Sequence, residues 1–154
     1  SIMVLLKHYD SGGFVFFTNY NSRKGIQSSS NPNGALLFYW AEFERQIRIE
    51  GNIQKTSRKV SESYFNQRPR QSRVSAIISH QSSEVPGRAY LEKHRDDLLD
   101  QLSGKDPELP DFWGGYRLIP EYFEFWQGRR NRLHDRIVYI IEKDGSWSTK
   151  RLAP

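Results

Sequence analysis

Short apolar and aromatic stretches, separated by turn residues, recur along the chain. The aromatic stretch Phe14–Asn19 follows the turn sequence Asp10–Gly13, and together with the apolar stretch Ile2–Tyr9 it predicts a β-hairpin. Within Arg45–Ile53 polar and apolar side chains alternate, which is the period of a strand with two distinct faces. Further strands are predicted over Ala35–Trp40, Gly115–Pro120, Tyr122–Gln127, Arg136–Glu142 and Trp147–Leu152, with the turn Lys143–Gly145 between the last two.

Helical signals lie between these groups of strands. Ser22 is a suitable N-cap for a helix over Arg23–Ser29, and Ser57 opens a second helix that ends before Pro69. Two more helices are predicted over Ser72–Ser79 and Gly87–Leu102. Because strands outnumber helices and hairpins dominate, we predict a mainly β protein, an antiparallel sheet or barrel with appended helices. Its length indicates one domain over residues 1–154.

Composition narrows the class of protein. The chain contains no cysteine, so disulfides, thiolate catalysis and cysteine-based metal sites are excluded. No apolar run is long enough to cross a bilayer, and no signal-peptide pattern opens the chain. We therefore expect a soluble protein of the cytoplasm. A domain rarely begins inside a buried strand, so we also expect residues upstream of Ser1, where a targeting peptide would lie if there is one.

The positive charge is distributed in separate clusters. The net charge is +5, and the basic residues gather at Ser22–Lys24, Arg68–Arg70 and Arg129–Arg132. An excess of positive charge favours anionic partners, which include nucleic acid, acidic lipid and phosphorylated small molecules. Separate clusters suit several discrete phosphate contacts better than one continuous nucleic-acid track. For any single cluster, a solvated surface is the alternative interpretation.

Three stretches are candidates for phosphate binding. Arg23 and Lys24 lie at a predicted helix N-terminus, where free backbone N–H groups favour anions. A second set is spaced four residues apart and would share one helix face, although Pro69 interrupts the helix. This set consists of Tyr64, Arg68 and Ser72. The third stretch, Gln81–Ser83, offers amide and hydroxyl groups, and an ordinary polar loop is its alternative interpretation.

The stretch Glu124–Arg136 combines four arginines, a histidine and a tryptophan around a glycine turn. Arg132 and His134 are two residues apart, so in an extended segment they face the same side. An arginine that holds charge beside a histidine that exchanges protons near neutral pH suits a redox or acid–base site. A basic hairpin that binds nucleic acid or faces solvent is the alternative. The sequence has no P-loop, dinucleotide fingerprint or metal-ligand spacing, and we predict no metal site.

Taken in order, these segments resemble the pyridoxine (pyridoxamine) 5′-phosphate oxidase family over essentially the whole chain. The matching stretches are VLLK (Val4–Lys7), FFTN (Phe16–Asn19), SRKG (Ser22–Gly25), ERQIRIEG (Glu44–Gly51), YFNQRPRQS (Tyr64–Ser72), SHQSS (Ser79–Ser83), FWGGYR (Phe112–Arg117), EFWQG (Glu124–Gly128), RLHDR (Arg132–Arg136) and RLAP (Arg151–Pro154). Many ordered matches at family-like spacing make this resemblance specific.

The resemblance implies a split β-barrel homodimer with FMN bound noncovalently at the subunit interface. The implied FMN contacts are Lys7, Phe17, Thr18, Arg23, Lys24, Gln46, Gln81, Ser82, Trp126 and Arg136. The implied contacts to the substrate phosphate are Lys7, Tyr64, Arg68 and Ser72, while Arg132 and His134 would lie over the substrate ring as the catalytic pair. Two phosphorylated ligands would account for the separate basic clusters.

The reaction implied by the resemblance takes a hydride from C4′ of pyridoxine or pyridoxamine 5′-phosphate to flavin N5, with O2 as the final acceptor and H2O2 as product. Ile2 stands where the family usually has an arginine, which implies weaker FMN binding. The family's N-terminal segment is also not represented. The alternatives are a non-catalytic member that carries FMN or pyridoxal phosphate and, from charge alone, a nucleic-acid-binding barrel. We expect no nucleic acid and no membrane partner.

Overall fold

The computed structural model describes residues 1–154, which form seven strands and four α-helices. The strands are β1 (His8–Asp10), β2 (Gly13–Asn19), β3 (Asn33–Trp40), β4 (Arg45–Lys55), β5 (Trp113–Gln127), β6 (Asp135–Ile141) and β7 (Trp147–Arg151). The helices are α1 (Arg23–Ser30), α2 (Arg58–Gln67), α3 (Arg70–Ile78) and α4 (Arg88–Leu102). The prediction of a mainly β protein with appended helices is confirmed. None of the four α-helices combines the length and the apolar character that a membrane-spanning helix requires.

All seven strands belong to one antiparallel sheet, whose main path runs β1-β2-β5-β4-β3. The long strand β5 organises the sheet because its two halves have different neighbours. Its first half pairs with β2 on one side and β4 on the other, whereas its second half pairs with β4 and β6. The sheet therefore divides along β5 into two wings, and β7 extends the second wing by pairing with β6.

The continuity of β5 corrects the sequence prediction, which placed two strands at Gly115–Pro120 and Tyr122–Gln127. Proline normally interrupts a strand because it has no N–H group for the ladder. Here the register with β4 shifts between Glu50 and Gly51, so the irregularity is absorbed by a bulge and the strand continues. Glycine is required on β4 at this point, because a Cβ atom on Gly51 would lie 1.9 Å from the carbonyl oxygen of Ile119.

The first residues also differ from the prediction of a strand over Ile2–Tyr9. Only His8–Asp10 forms a strand, although the Lys7 backbone N–H still donates to the Val15 carbonyl over 2.9 Å. Before Lys7 no further backbone hydrogen bond holds the segment to β2, and Met3 is 94% exposed. The apolar pattern of these residues was detected correctly, but a strand needs a neighbouring strand as partner, and the chain supplies none there.

Helices α1 and α2 begin where the capping signals predicted. Ser22 caps α1 by accepting from the Gly25 N–H, and Ser57 caps α2 by accepting from the Val60 N–H. Helix α3 begins at Arg70, two residues before the predicted start, because Pro69 occupies its N-cap. Proline is well tolerated at a helix start, where its missing N–H group would have no partner in any case. The last helix, α4, has no fully buried residue.

A small core joins the helices to the first half of β5. It consists of Phe65 from α2, Ala76 from α3, Leu109 from the preceding loop, and Trp113 at the start of β5. Phe65 is completely buried, and its ring meets the Trp113 ring edge-on at 5.3 Å between centroids. This contact fixes α2 and α3 against the sheet, and the side chains that follow Phe65 consequently line the cavity described next.

Candidate functional site

A cavity of about 540 Å³ lies between the first wing of the sheet, helices α2 and α3, and the N-terminal segment. Its volume is within the roughly 300–1,000 Å³ typical of small-molecule sites. Eight of the residues predicted to bind ligands line it, namely Lys7, Phe17, Thr18, Lys24, Tyr64, Arg68, Ser72 and Gln81. These residues come from several separate segments of the chain, so only the tertiary fold brings them together.

The predicted trio of Tyr64, Arg68 and Ser72 reaches the cavity by a different route from the one its spacing suggested. The residues do not lie on one continuous helix, because Arg68 and Pro69 have extended backbone conformations between α2 and α3. Tyr64 lies near the end of α2, and Ser72 lies in the first turn of α3. The bend between the two helices turns both toward Arg68, and all three line the same cavity.

Three stacked aromatic rings form one wall of the cavity. The Phe17 ring stacks on Tyr64 at 4.0 Å and on Trp113 at 5.6 Å between centroids. Trp113 was not among the predicted site residues, although it is the second residue of the stretch FWGGYR that carried part of the resemblance. It contributes both to the core and to the cavity wall, so its aromatic character alone did not distinguish the two roles.

Arg68 is the most unusual group in this cavity. Its guanidinium lies over the Trp113 ring at 4.9 Å, and its Nη1 atom is buried without a hydrogen-bond partner. Burial lowers the pKa of Arg68 from its ordinary value. A buried donor without a partner costs about 1–3 kcal/mol, so the site is arranged to receive an acceptor, and an anionic oxygen satisfies both the charge and the hydrogen bond.

On the other side of the cavity, the side-chain oxygen of Gln81 accepts two hydrogen bonds. Lys24 Nζ donates to it over 2.7 Å, and the buried Thr18 hydroxyl donates over 2.9 Å. Burial lowers the pKa of Lys24. The backbone N–H of Arg23 donates to the Ser82 hydroxyl over 3.2 Å, so the start of α1 is tied to the Gln81–Ser83 loop. These contacts therefore join five predicted residues into one cationic and hydroxyl-rich cluster, namely Thr18, Arg23, Lys24, Gln81 and Ser82.

The remaining predicted residues form a second cluster on the other wing of the sheet. Gln46, Trp126 and Arg136 are direct cross-strand neighbours on β4, β5 and β6, so their side chains share one face. The His134 ring lies 4.9 Å from the Trp126 ring, and Arg132 lies in the exposed turn between β5 and β6. None of these five residues lines the first cavity. Within one chain the predicted site is therefore divided into two clusters.

Glu124 organises the second cluster and was not predicted. Its side chain is 5% exposed and accepts from Arg136 Nε over 2.7 Å and from Arg48 Nη2 over 2.8 Å. Donation from Arg136, and then from Arg48 and Tyr122, lowers the pKa of Glu124 to about 2. Arg136 also donates from Nη1 to the Ala153 carbonyl over 3.0 Å. Glu124 is the first residue of the stretch EFWQG. It lies two residues before Trp126 on β5, so the two side chains share one face of the sheet, and this spacing could have identified Glu124 as a site residue.

The fold and the site together define a class. A divided antiparallel sheet, with an anion-suited cavity at one wing and a tryptophan–arginine cluster at the other, is typical of split β-barrel flavoproteins. The fold is similar to that of a pyridoxamine 5′-phosphate oxidase-related, FMN-binding protein from Nostoc punctiforme, with a TM-score of 0.76 and 15% identity over 98% of this chain and 79% of that one. The predicted split-barrel fold is confirmed.

The chain belongs to the pyridoxine/pyridoxamine 5′-phosphate oxidase family. Residues 1–100 match the family model described as pyridoxamine 5′-phosphate oxidase, and residues 113–154 match the pyridoxine 5′-phosphate oxidase C-terminal dimerisation region. A pyridoxine/pyridoxamine 5′-phosphate oxidase from Microcystis aeruginosa is 52% identical over 99% of this chain and 71% of its own length. One from Leptospira interrogans is 49% identical over the same shares of the two chains. The resemblance inferred from the sequence is thereby confirmed.

A solved structure with a different ligand is also similar. PhzG from Burkholderia lata, in complex with tetrahydrophenazine-1-carboxylic acid, superimposes with a TM-score of 0.90. It is 30% identical, and the match covers 98% of this chain and 73% of that one. The identity to PhzG is therefore lower than the identity of about 50% to the curated oxidases.

Proposed function

We propose that the protein is an FMN-dependent oxidase that converts pyridoxine 5′-phosphate and pyridoxamine 5′-phosphate to pyridoxal 5′-phosphate, with O2 as acceptor and H2O2 as product. With pyridoxamine 5′-phosphate, water is also consumed and ammonia is released, because the C4′–N bond is replaced by a carbonyl group. The observation that carries this proposal is the unpaired, buried Nη1 atom of Arg68 in a cavity that also contains Lys7, Tyr64 and Ser72. These groups offer cations and hydroxyls to one point, which suits a phosphate monoester. The sequence identity of about 50% to curated oxidases supports the same substrates.

FMN is the cofactor, and the residues present fit it. Its single phosphate requires a compact cationic site without a dinucleotide motif, and Arg23, Lys24 and Ser82 provide one beside Gln81. Gln46, Trp126 and Arg136 would complete the binding set from the second cluster. When bound, FMN supplies the redox chemistry by accepting two electrons from the substrate and passing them to O2. The protein's part is to hold the substrate and to control charge and protons around it.

We assign the protein's catalytic contribution to Arg132 and His134. Arg132 carries a planar, cationic guanidinium with several hydrogen-bond donors, so it orients the substrate and stabilises negative charge that develops on the ring. His134 lies beside Trp126 and holds a proton at a ring nitrogen near the substrate. Lys7, Tyr64, Arg68 and Ser72 hold the substrate phosphate at the other end.

The active unit in this proposal is a homodimer. Only 23 of 154 residues are buried in the isolated chain, and large apolar side chains on the second wing remain exposed. An apolar cleft on this wing is lined by five side chains, of which Phe125, Tyr139 and Trp147 are exposed and Phe123 and Ile137 are half-buried. The cleft lies within the region that matches the family's dimerisation model. A second copy that covers this face would bring the second cluster of one chain toward the cavity of its partner, with FMN between them.

We further propose that residues 1–154 fold as one domain, because β5 belongs to the C-terminal family match but pairs with β2 and β4 of the N-terminal match. A single calorimetric unfolding transition is expected, whereas two separate transitions would contradict it. A cytoplasmic location remains a prediction from the sequence.

The similarity to PhzG supports a second candidate, the oxidation of a reduced, tricyclic carboxylate. Such a substrate has a carboxylate with two oxygens in place of a phosphate with three, so it would engage fewer of the cations and hydroxyls around Arg68. The first proposal is preferred for that reason.

The decisive test is formation of pyridoxal phosphate from each B6 phosphate by the purified protein, with and without added FMN. We expect equimolar pyridoxal phosphate and H2O2 with matching uptake of O2. Strong dependence on added FMN would agree with Ile2 at the position where the family has arginine. Bound flavin without turnover would support a carrier instead, and turnover of a reduced phenazine carboxylate alone would support the second candidate. A protein that binds no FMN would retain the family's fold without its function.

A further inference from the structure

The turn between β5 and β6 carries Arg132 and His134, yet it has little packing to hold it. Residues 129–133 are exposed, and no residue of the 3₁₀ turn Arg130–Arg132 is buried. Asn131 and Arg132 have positive φ angles of 58° and 62°. Residues other than glycine rarely adopt this region of backbone conformation. A catalytic turn of this kind needs specific polar contacts to keep one conformation.

Asp135 supplies those contacts from the end of the turn. Its Oδ2 atom accepts from Arg129 Nε over 2.7 Å, which joins the last residue before the turn to the first residue of β6. Its Oδ1 atom accepts from Arg151 Nη1 over 2.5 Å, which anchors the carboxylate to β7. Both oxygens of Asp135 are therefore engaged, and the turn is closed by an ion pair across its base.

The backbone of Arg129 in turn indicates which nitrogen of the His134 ring carries the proton. Its backbone N–H donates to His134 Nδ1 over 3.1 Å. An Nδ1 atom that accepts a hydrogen bond carries a lone pair, so the proton of the neutral ring lies on Nε2. Protonation of Nδ1 would place two N–H groups against each other and break this bond. In the neutral ring this contact consequently favours the tautomer that acts as a hydrogen-bond donor through Nε2.

We propose that Asp135 is a positioning residue that acts through Arg129 to hold His134 as the neutral, Nε2-protonated tautomer, so that His134 donates a proton or hydrogen bond to the bound ligand rather than accepting one. The inference rests on the proposed function, because it assigns the direction of a proton at that site. It also gives a specific role to Arg129, a member of the basic cluster Arg129–Arg132.

Nuclear magnetic resonance of the FMN-loaded protein labelled with ¹⁵N-histidine tests the tautomer directly. The chain has four histidines, and the signal of His134 is identified by its loss in His134→Gln. In the wild type we expect an unprotonated Nδ1 and a protonated Nε2. Asp135→Ala and Arg129→Ala should both shift His134 toward a mixture of tautomers or toward the protonated ring. Arg130→Ala is the matched control, because the Arg130 side chain has no hydrogen-bond or ion-pair partner, and its His134 signal should not change.

Kinetics with pyridoxine phosphate provide the second readout. We expect Asp135→Ala and Arg129→Ala to lower kcat by roughly 10- to 100-fold, since a misplaced catalytic group has effects of this size. KM should change little, because the cation set around Arg68 is untouched. Arg129→Lys should recover part of the rate by restoring a cation opposite Asp135. Arg130→Ala should keep the wild-type rate.

The two proposals fail in different ways. If the wild type turns over B6 phosphates but the His134 tautomer is unchanged in both Asp135→Ala and Arg129→Ala, the positioning role is wrong and the oxidase function stands. If the wild type shows no turnover but the tautomer shifts as expected in the two variants, the oxidase function is wrong, and the positioning of His134 by Asp135 and Arg129 stands. If Asp135→Ala does not fold, Arg129→Ala tests the positioning role instead. This variant keeps the backbone N–H of residue 129 that donates to His134 and loses only the ion pair with Asp135.

Discussion

The guanidinium of Arg68 rests on the face of Trp113 at 4.9 Å while its Nη1 atom, although buried, has no hydrogen-bond partner. The aromatic face compensates for part of the lost hydration of the cation, but it cannot accept a directed hydrogen bond as an oxygen does. The pair therefore keeps a donor ready for an anionic ligand. Such an arrangement lowers the stability of the free protein and strengthens ligand binding.

This arrangement predicts that Arg68→Met weakens binding of the substrate phosphate. A charge-assisted hydrogen bond contributes about 1.5–3 kcal/mol, so KM for pyridoxine phosphate should rise roughly 10- to 100-fold, with a smaller change in kcat. Steady-state kinetics check this. Arg88→Met is the matched control, because the Arg88 side chain is 87% exposed on α4. An unchanged KM in Arg68→Met would remove Arg68 from the phosphate site.

The same substitution should not reduce the free energy of unfolding of the ligand-free protein. Removal of a buried donor that has no partner leaves no new unsatisfied group, and a methionine chain can still pack on Trp113. Chemical denaturation of both forms without ligand measures this. A loss of more than about 1 kcal/mol would indicate that the Arg68 guanidinium makes a stabilising contact in the free protein.

Glu124→Gln should destabilise the protein in a pH-dependent way. The carboxylate bridges Arg48 and Arg136, and replacement by a neutral amide should lower the free energy of unfolding by about 2 kcal/mol near neutral pH. The folded pKa is about 2 and the ordinary value is 4.5, so the folded state binds fewer protons and the contribution is present above pH 4.5. The difference between wild type and variant should shrink as pH falls from 4.5 toward 2.

Denaturation curves at several pH values test this prediction. Glu121→Gln is the control, because Glu121 is exposed on the same strand and makes no side-chain hydrogen bond. If the difference in the free energy of unfolding between wild type and Glu124→Gln stays constant from neutral pH down to about pH 2, the assigned pKa is contradicted.

Tyr139→Glu should disrupt the proposed dimer. Tyr139 is 37% exposed in the isolated chain and lines the apolar cleft beside Phe125 and Trp147. A charge placed in a buried interface costs several kcal/mol, so sedimentation velocity should show mainly monomer and the purified variant should contain less FMN. The control is Val60→Glu, an apolar residue of similar exposure at the start of α2. A Tyr139→Glu protein that remains dimeric and yellow would place the interface elsewhere.

Arg132→Ala should lower kcat/KM by at least about 100-fold without loss of stability. The lost charge stabilisation at the reacting ring has effects of this size in other enzymes. The Arg132 side chain is exposed and makes no hydrogen bond or ion pair, so it contributes little to folding. Kinetics and thermal unfolding of the same preparation check both parts. Normal turnover in Arg132→Ala would contradict its assigned role.

Local signals in the sequence were sufficient for most elements of the fold. The N-caps Ser22 and Ser57, the turn at Asp10–Gly13 and the alternation in Arg45–Ile53 each depend on residues that are close in the chain, and each was predicted correctly. The errors occurred where a distant partner decides the outcome. Pro120 did not end its strand because β4 absorbs the irregularity at Gly51, and Ile2–Leu6 formed no strand because no neighbour pairs with it.

The candidate site shows the same division. Its residues were named from motifs, and eight of them do line one cavity. Trp113 and Glu124 were missed because residue type alone does not distinguish Trp113 from an ordinary core aromatic residue, or Glu124 from an ordinary carboxylate on a strand. Only their contacts, with Arg68 and with Arg48 and Arg136, reveal their role.

The sequence by itself determined the family, the secondary-structure order and the identity of the polar groups, since these follow from residue type and local spacing. Tertiary structure alone decided that the predicted ligand-binding residues divide into two clusters on opposite wings of the sheet. It also decided that Arg68 lacks a hydrogen-bond partner and that Arg129 faces His134. The physical reason is that hydrogen bonds, burial and pKa values depend on distances of a few ångströms between residues far apart in the chain, and those distances exist only after β5 has joined both wings.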